Sequence, residues 1–411
     1  KMTKIKNFLT DNKNLMYNDL KGKLKNINLS IKELDNLFLL NYKEDYKKDI
    51  ASNILLDKNL IDECRSIIID KNNYEIKMLG LIGSIKFEEF IKNISWNDLV
   101  VEESIDGTLI NLYYNNNEWN VSTKKTLNGE CYWNTKRTFK ELFLETINKL
   151  NLNFNILNNK NCYSFVLCHP EARNVTLYDH PKLYHICTRD LNTLKEIDED
   201  IGIIKPNILK LDDYNILENN CNSYDDLLKN LNLLNYTKEG YMLFSKNRKY
   251  RTKLRGKNHL EIKALKGEYC NMKLRILEIR KDNNMNLFLE NFSEYFEDIK
   301  NIETSIDNLA KKILYFYTLI NIKKERKELP LFIKKPLYCV HNIYLNNINE
   351  EIPCKNILDN TLNIKYNKTQ LNLKKKKYNI QLSDIIKWLN DQEPKYLCYL
   401  LNNEESCNLP R

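Results

Sequence analysis

The chain has 411 residues, 42% of them apolar, and a formal net charge of +9. Length and apolar content exclude a disordered chain and allow two or three domains with a real core. No run of ~18 uncharged apolar residues occurs and Lys1–Lys4 lacks the apolar stretch of a signal peptide, so neither a transmembrane helix nor secretion is expected, and a cytoplasmic protein is.

The excess of Lys and Arg suits an anionic partner, because cations displace counterions from phosphates; a basic surface kept for solubility gives the same sum. Eleven cysteines occur, none in a C-x-x-C pair. Free, mostly buried thiols in a reducing compartment fit that spacing better than a zinc site.

Residues 1 to 62 read as helix-rich, with Ser30 capping a helix that carries Glu33 at its third position and Leu37, Leu39 and Leu40 on its apolar face. From Arg65 the period changes. Ser66–Asp70 is short and β-branched, Asn72-Asn73 is a turn, and Tyr74–Met78 reads as the partner strand. Phe87–Ile94 reads as a short amphipathic helix. Strand patterns fill Val100–Thr126, with a turn at Asn115–Asn117. Lys136–Leu150 has helical spacing. Tyr163–Leu167, Leu183–Thr188, Gly240–Ser245 and Tyr250–Leu254 read as strands, and Asp225–Leu234 as a helix. The stretch is an α+β pattern on largely antiparallel sheet. Past residue 270 the spacing is helical, over Leu287–Phe296 and Ile306–Thr318. Glu328–Pro330 and Lys335-Pro336 are expected to break the chain, and Ser383 to cap a final helix through Leu389. Lys374–Lys377 reads as a solvated basic loop.

Ser104-Ile105-Asp106-Gly107 ends a strand-like run. A strand that stops in a turn can present one side chain to a cleft, and Gly107 lets backbone approach a ligand. Alone, an Asp-Gly pair is more often a hairpin turn. Other segments add to it in order: Asp62-Glu63-Cys64-Arg65-Ser66, Lys86-Phe87, Ser122-Thr123-Lys124, Tyr163-Ser164-Phe165-Val166, Glu239-Gly240-Tyr241-Met242 and Arg251-Thr252-Lys253. His169 reads as structural, no Ser–His–Asp or Cys–His spacing stands out, and no G-x-x-x-x-G-K is present.

In order and spacing these segments, from about residue 60 to 266, resemble the covalent nucleotidyltransferase superfamily of ligases and mRNA capping enzymes. Within it they are most similar to ATP-dependent RNA ligases of the phage RNA ligase 1 type and their large-virus relatives. The resemblance implies an ATP-grasp-like ligase core over residues 1–270, including a helical N-terminal part. A mainly helical domain over 271–411 would give RNA specificity. In the family the lysine of K-x-D-G attacks the α-phosphorus of ATP and pyrophosphate leaves. AMP then passes to an RNA 5′-phosphate, which a 3′-hydroxyl seals. Here Ser104 occupies the lysine position, so no self-adenylylation is expected; the motif reads as that of an inactivated ligase variant or, alternatively, of a natural pseudoenzyme that binds RNA.

The remaining roles follow from the same resemblance. Asp106 and Gly107 complete the motif. Arg65, Arg251 and Lys253 would meet the triphosphate or the AMP phosphate, with Arg251 standing where relatives more often have Lys. Glu239 would hold Mg²⁺ or Mn²⁺, a hard cation suited to oxygen ligands. Glu103 would lie beside the adenine, and Lys86 and Lys124 are further phosphate contacts. Ser164 replaces the Glu of the family's F-E-F-V strand, with Glu171 or Arg173 as substitutes, and Arg65-Ser66 replaces Arg-Gly. ATP, a divalent ion and RNA with 5′-phosphate and 3′-hydroxyl ends, tRNA among the options, are the implied partners of an expected monomer. A capping guanylyltransferase is the rival enzyme, disfavoured by the helical tail.

Overall fold

The computed structural model describes residues 3–43, 58–133, 135–209, 221–268, 271–325, 328–349 and 378–405. It is α+β, with antiparallel sheets and helices, and separates into two compact units, Lys1–Glu268 and Tyr269–Arg411.

The first unit opens with α1 (Lys4–Asp11) and α2 (Tyr17–Asn26), then the hairpin β1 (Leu29–Leu34) and β2 (Leu37–Tyr42). A helix capped by Ser30 is therefore not formed: Ser30 pairs with Asn41 across the hairpin, and Asp35 turns the chain at φ 48°. The misleading signal is Leu37-Phe38-Leu39-Leu40. It does not alternate because β2 is covered on both faces. Phe38 and Leu40 pack with Ile5, Leu9, Leu20 and Leu24 of the helices, while Leu39 packs with Tyr113 and Cys162 of the next sheet. Helix α3 (Lys58–Glu63), β3 (Arg65–Asp70) and β4 (Ile76–Leu79) complete a sheet of order β1-β2-β3-β4.

After α4 (Phe87–Asn93), β5 (Leu99–Ser104) and β6 (Thr108–Asn115) follow, but they do not pair. Asp106-Gly107 is thus no hairpin turn. It is the crossing between two sheets. Strand β6 pairs with β7 (Glu118–Thr123) through Asn116 and Asn117, both left-handed at φ 52° and 62°, the conformation Asn tolerates best after Gly. Helix α5 (Phe139–Lys149), closed by a Thr138–Glu141 capping box, covers one face of this sheet with Leu142, Phe143 and Ile147. Strands β8 (Asn161–Cys168), β9 (Lys182–Asp190) and β10 (Glu196–Ile197) extend it to the order β10-β9-β8-β6-β7.

The third sheet joins β5 to β11 (Ile208–Leu209), β12 (Gly240–Ser245) and β13 (Arg251–Arg255), in the order β11-β5-β12-β13. Its apolar face carries Val101, Leu243 and Leu254 onto Phe90 of α4 and Leu227 and Leu231 of α6 (Tyr224–Leu233). Helix α7 (Lys257–Lys266) ends the unit.

In the second unit the described residues form α8 (Met272–Lys281), α9 (Met285–Asn291), α10 (Phe296–Tyr317), α11 (Leu331–Asn349), α12 (Leu382–Asp391) and α13 (Pro394–Glu405). Ile299, Ile302, Ile306, Leu309 and Ile313 line one buried stripe of α10. Three expectations need correction. Pro336 lies inside α11 rather than breaking the chain, so the helix accommodates the missing N–H there. The cap of α12 is Gln381, in a box with Asp384, because the helix starts before Ser383. Helix α12 is not the last, since α13 follows it. Lys374–Lys377 lie outside the described residues. No helix among the described residues is long and apolar enough to cross a membrane.

Candidate active site

Strand period 2 sorts the third sheet into two faces. Ser104, Gly240 and Arg255 sit opposite one another, as do Glu102, Met242 and Lys253, and Val100, Phe244 and Arg251. These rows share the face opposite Val101, Leu243 and Leu254, and so form the polar side. Arg248 bonds both Glu102 of β5 and Glu196 of β10, so this face and the β10-β9-β8-β6-β7 sheet meet across a cleft.

At one end of the cleft, Ser104 is 4% exposed and donates to Glu239 Oε2 at 2.8 Å. Lys253 Nζ lies 2.6 Å from the same oxygen, and Arg255 Nε donates to Oε1 at 3.0 Å. Burial alone would raise the Glu239 carboxyl, but Lys253, Ser104 and Arg255 outweigh it and hold it below the ordinary value. Burial pushes the Lys253 ammonium down, against the pull of Glu239. Gly240 is required beside this glutamate: its φ is 140°, and a Cβ there would lie 2.1 Å from the Leu254 carbonyl oxygen.

The crossing loop is fixed as firmly. Asp106 Oδ2 accepts the Val175 and Thr176 N–H groups at 2.9 and 2.8 Å, and its carbonyl accepts the Tyr178 hydroxyl at 3.0 Å. A Cβ on Gly107 would come within 2.6 Å of the Leu167 carbonyl oxygen, so only glycine lets the loop press against β8. Asp106, Gly107, Glu239, Lys253 and Arg255 line a cavity of about 330 Å³, closed by Trp133, Asn174, Lys263 and Lys266.

At the other end stand Arg251 and Arg65. Arg251 is 5% exposed, and burial together with the Arg65 charge pushes it down to about 9. Burial also lowers Arg65, whose Nη1 donates to the Ile82 carbonyl at 3.2 Å. The Nε groups of both are buried without a hydrogen-bond partner. Guanidiniums with free donors are suited to an anion. Lys124 Nζ lies 5.7 Å from the centre of the Tyr42 ring.

The sequence-derived set is therefore split. Asp106, Gly107, Glu239 and Lys253 line one cavity, which Arg65 and Arg251 do not, and Ser104 joins them through its bond to Glu239. Glu103 points off the cleft face and binds Lys238 and Asn207. Lys86 is exposed before α4. Ser164 does not face the cavity as a lone substitute for Glu: it donates to Asn111 Oδ1 at 2.9 Å, and Asn111 donates to Ser66 Oγ at 3.2 Å. Glu171 binds Arg137 instead. Sequence reasoning missed Arg255, although it lies one strand period beyond Lys253, and it missed His259 of α7. A divalent cation fits the donor set: Asp106, Glu239 and His259 are buried with ligand atoms within 4.8 Å of one another.

No family model matches the chain. Among solved structures, an archaeal ATP-dependent RNA ligase is 11% identical and covers 67% of each chain with a TM-score of 0.42. The sequence comparisons are more particular. A protein described as a bifunctional polynucleotide kinase/RNA ligase of Autographa californica nuclear polyhedrosis virus is 29% identical over 176 residues, 38% of this chain and 24% of that protein. An RNA ligase of Rhodothermus phage RM378 is 32% identical over 103 residues, 23% of each. The chain thus spans about a quarter of the length of these relatives.

Proposed function

We propose that this chain is an ATP-dependent RNA ligase of the covalent nucleotidyltransferase type, with serine at the position of the attacking lysine. The reading rests on one observation: Ser104 and Lys253, far apart in sequence, both lie within hydrogen-bond distance of Glu239, which together with Lys253 lines one cavity. The RNA ligase names of the two sequence relatives support it.

A lysine at 104 would start from the backbone that now directs Ser104 at Glu239. Neutral amines attack phosphorus, and burial among cations lowers the proton affinity of a lysine, as it does for Lys253. The cavity would take AMP, with Lys253 and Arg255 on its phosphate. The guanidiniums of Arg251 and Arg65, further along the cleft, would hold the departing pyrophosphate. Their work is charge neutralisation at fixed positions, which is how most phosphoryl transfer is catalysed. A divalent ion held by Glu239 would supply further neutralisation of phosphate charge. The serine hydroxyl is too short to take the lysine's part and faces a carboxylate that Lys253 and Arg255 already bind, so this chain binds nucleotide without forming an adenylate. Joining of 5′-phosphate to 3′-hydroxyl RNA ends, tRNA breaks included, belongs to the lysine-bearing form.

The test is Ser104→Lys, incubated with α-labelled ATP and then with 5′-phosphorylated RNA. Label on the protein that passes to RNA and ends in a sealed strand supports the proposal. Labelling by GTP alone would instead indicate a capping enzyme, and inertness with both nucleotides an RNA-binding pseudoenzyme.

A further inference from the structure

His259 is 1% exposed, and its Nδ1 lies 2.9 Å from the Tyr236 carbonyl oxygen. A carbonyl can only accept, so Nδ1 is the donor, and in the neutral ring Nε2 then holds the lone pair. That Nε2 is buried and has no hydrogen-bond partner. Its neighbours are the carboxylates of Asp106 and Glu239, which cannot donate to it while ionised. A divalent cation satisfies the lone pair and both carboxylates together, whereas a proton on Nε2 would serve only one of them. The proton on Nδ1, held by a backbone carbonyl, is the arrangement that orients metal-binding imidazoles elsewhere.

The other grouping of this kind among the described residues also has a buried Nε2 without a hydrogen-bond partner, but there Nε2 carries the proton. In the cluster Glu145, His169 and Glu171, His169 Nδ1 accepts the Glu171 N–H at 3.2 Å. Its proton therefore sits on Nε2, 3.7 Å from Glu145 Oε2. Arg137 binds both glutamates, so no ion is needed there.

Lone pairs remain at the first cluster. The two backbone N–H groups on Asp106 occupy Oδ2 and leave Oδ1. Ser104, Lys253 and Arg255 use three of the roughly four acceptor positions of Glu239. Because Lys253 competes for Glu239, the ion would be exchangeable rather than structural. One imidazole nitrogen among carboxylate oxygens suits Mn²⁺, Co²⁺ or Zn²⁺ better than Mg²⁺, which prefers oxygen and keeps its water.

We propose that Asp106, Glu239 and His259 Nε2 form a divalent-cation site with an imidazole ligand, selective for a transition-metal ion over Mg²⁺. This deepens the reading of Glu239 given above and rests on it for that residue's role, but its test involves no nucleotide, so the two can fail separately. Mn²⁺ is titrated into the full chain and followed by electron paramagnetic resonance, with pulsed detection of ¹⁴N coupling. The expected result is bound Mn²⁺ coupled to nitrogen and poorly displaced by excess Mg²⁺. His259→Ala should abolish the coupling and weaken binding by at least the ~10-fold lost with an outer-shell partner, while His169→Ala changes neither. Absence of bound Mn²⁺, bound Mn²⁺ without nitrogen coupling, or coupling that survives in His259→Ala would each overturn the proposal. The coupling is read on the unaltered chain, so the outcome stands even where His259→Ala fails to fold.

Discussion

The two ends of strand β13 face the same cleft and solve opposite electrostatic problems. At the Arg255 end the cations are already answered: Lys253 and Arg255 share the buried carboxylate of Glu239. At the Arg251 end two guanidiniums stand together with buried, unpartnered Nε groups. A buried ion pair is costly to break, whereas an unanswered buried cation is costly to keep. The first end is therefore satisfied within the chain, and the second is not.

The largest effect should come from breaking the answered end. Lys253→Met removes one of the two cations on the buried Glu239 carboxylate and should cost about 3 kcal/mol in urea unfolding at neutral pH, the low end for breaking a buried pair because Arg255 and Ser104 still bind it. The same pair sets a pH dependence. The Glu239 carboxyl is held below its ordinary value, so its contribution is complete above that value and is lost as pH falls through the lower one. Unfolding midpoints should accordingly drop on acidification by more in the unaltered chain than in Lys253→Met.

Next in size is the loop that carries the site. Gly107→Ala drives a methyl group to 2.6 Å from both the Leu167 carbonyl oxygen and Val166 Cγ1. Overpacking of that kind should cost about 1–3 kcal/mol in the same unfolding measurement.

The unanswered end gives the smallest change in the free protein, with the opposite sign. Arg251→Met replaces an uncompensated buried charge by an apolar group of similar reach and should leave the ligand-free protein as stable or about 1 kcal/mol more stable. Pyrophosphate should raise the thermal midpoint of the unaltered chain, by about 2.7 kcal/mol of stability at a hundredfold its Kd, and should not raise that of Arg251→Met. A variant that loses stability without pyrophosphate would erase the contrast between the two ends.

How much of this was legible in the sequence depends on which periodicity survived. Strands β3, β12 and β13 stood out because their residues alternate or run β-branched between turns. Strand β2 did not, because covering both of its faces removed the alternation that separates strand from helix. Ser104, Asp106, Gly107 and Glu239 were singled out by the order and spacing of short motifs. Arg255 could have been found by counting one strand period from Lys253. His259 could not, since its meaning lies in the Tyr236 carbonyl that fixes its proton and in carboxylates brought up from two other segments. The placement of Arg65 with Arg251, away from the cavity that Glu239 lines, is likewise a property of how two sheets meet and leaves no mark in either segment alone.

The central claim is that the polar face of β13 grips the phosphates of a nucleotide. Calorimetric titration of ATP into the chain as it stands, with serine at 104, tests it most directly. Binding is expected, without turnover, and it should weaken about tenfold or more in Arg251→Met, the equivalent of one lost hydrogen bond to a charged group. No binding of ATP, or equal binding by the unaltered chain and Arg251→Met, would contradict the account.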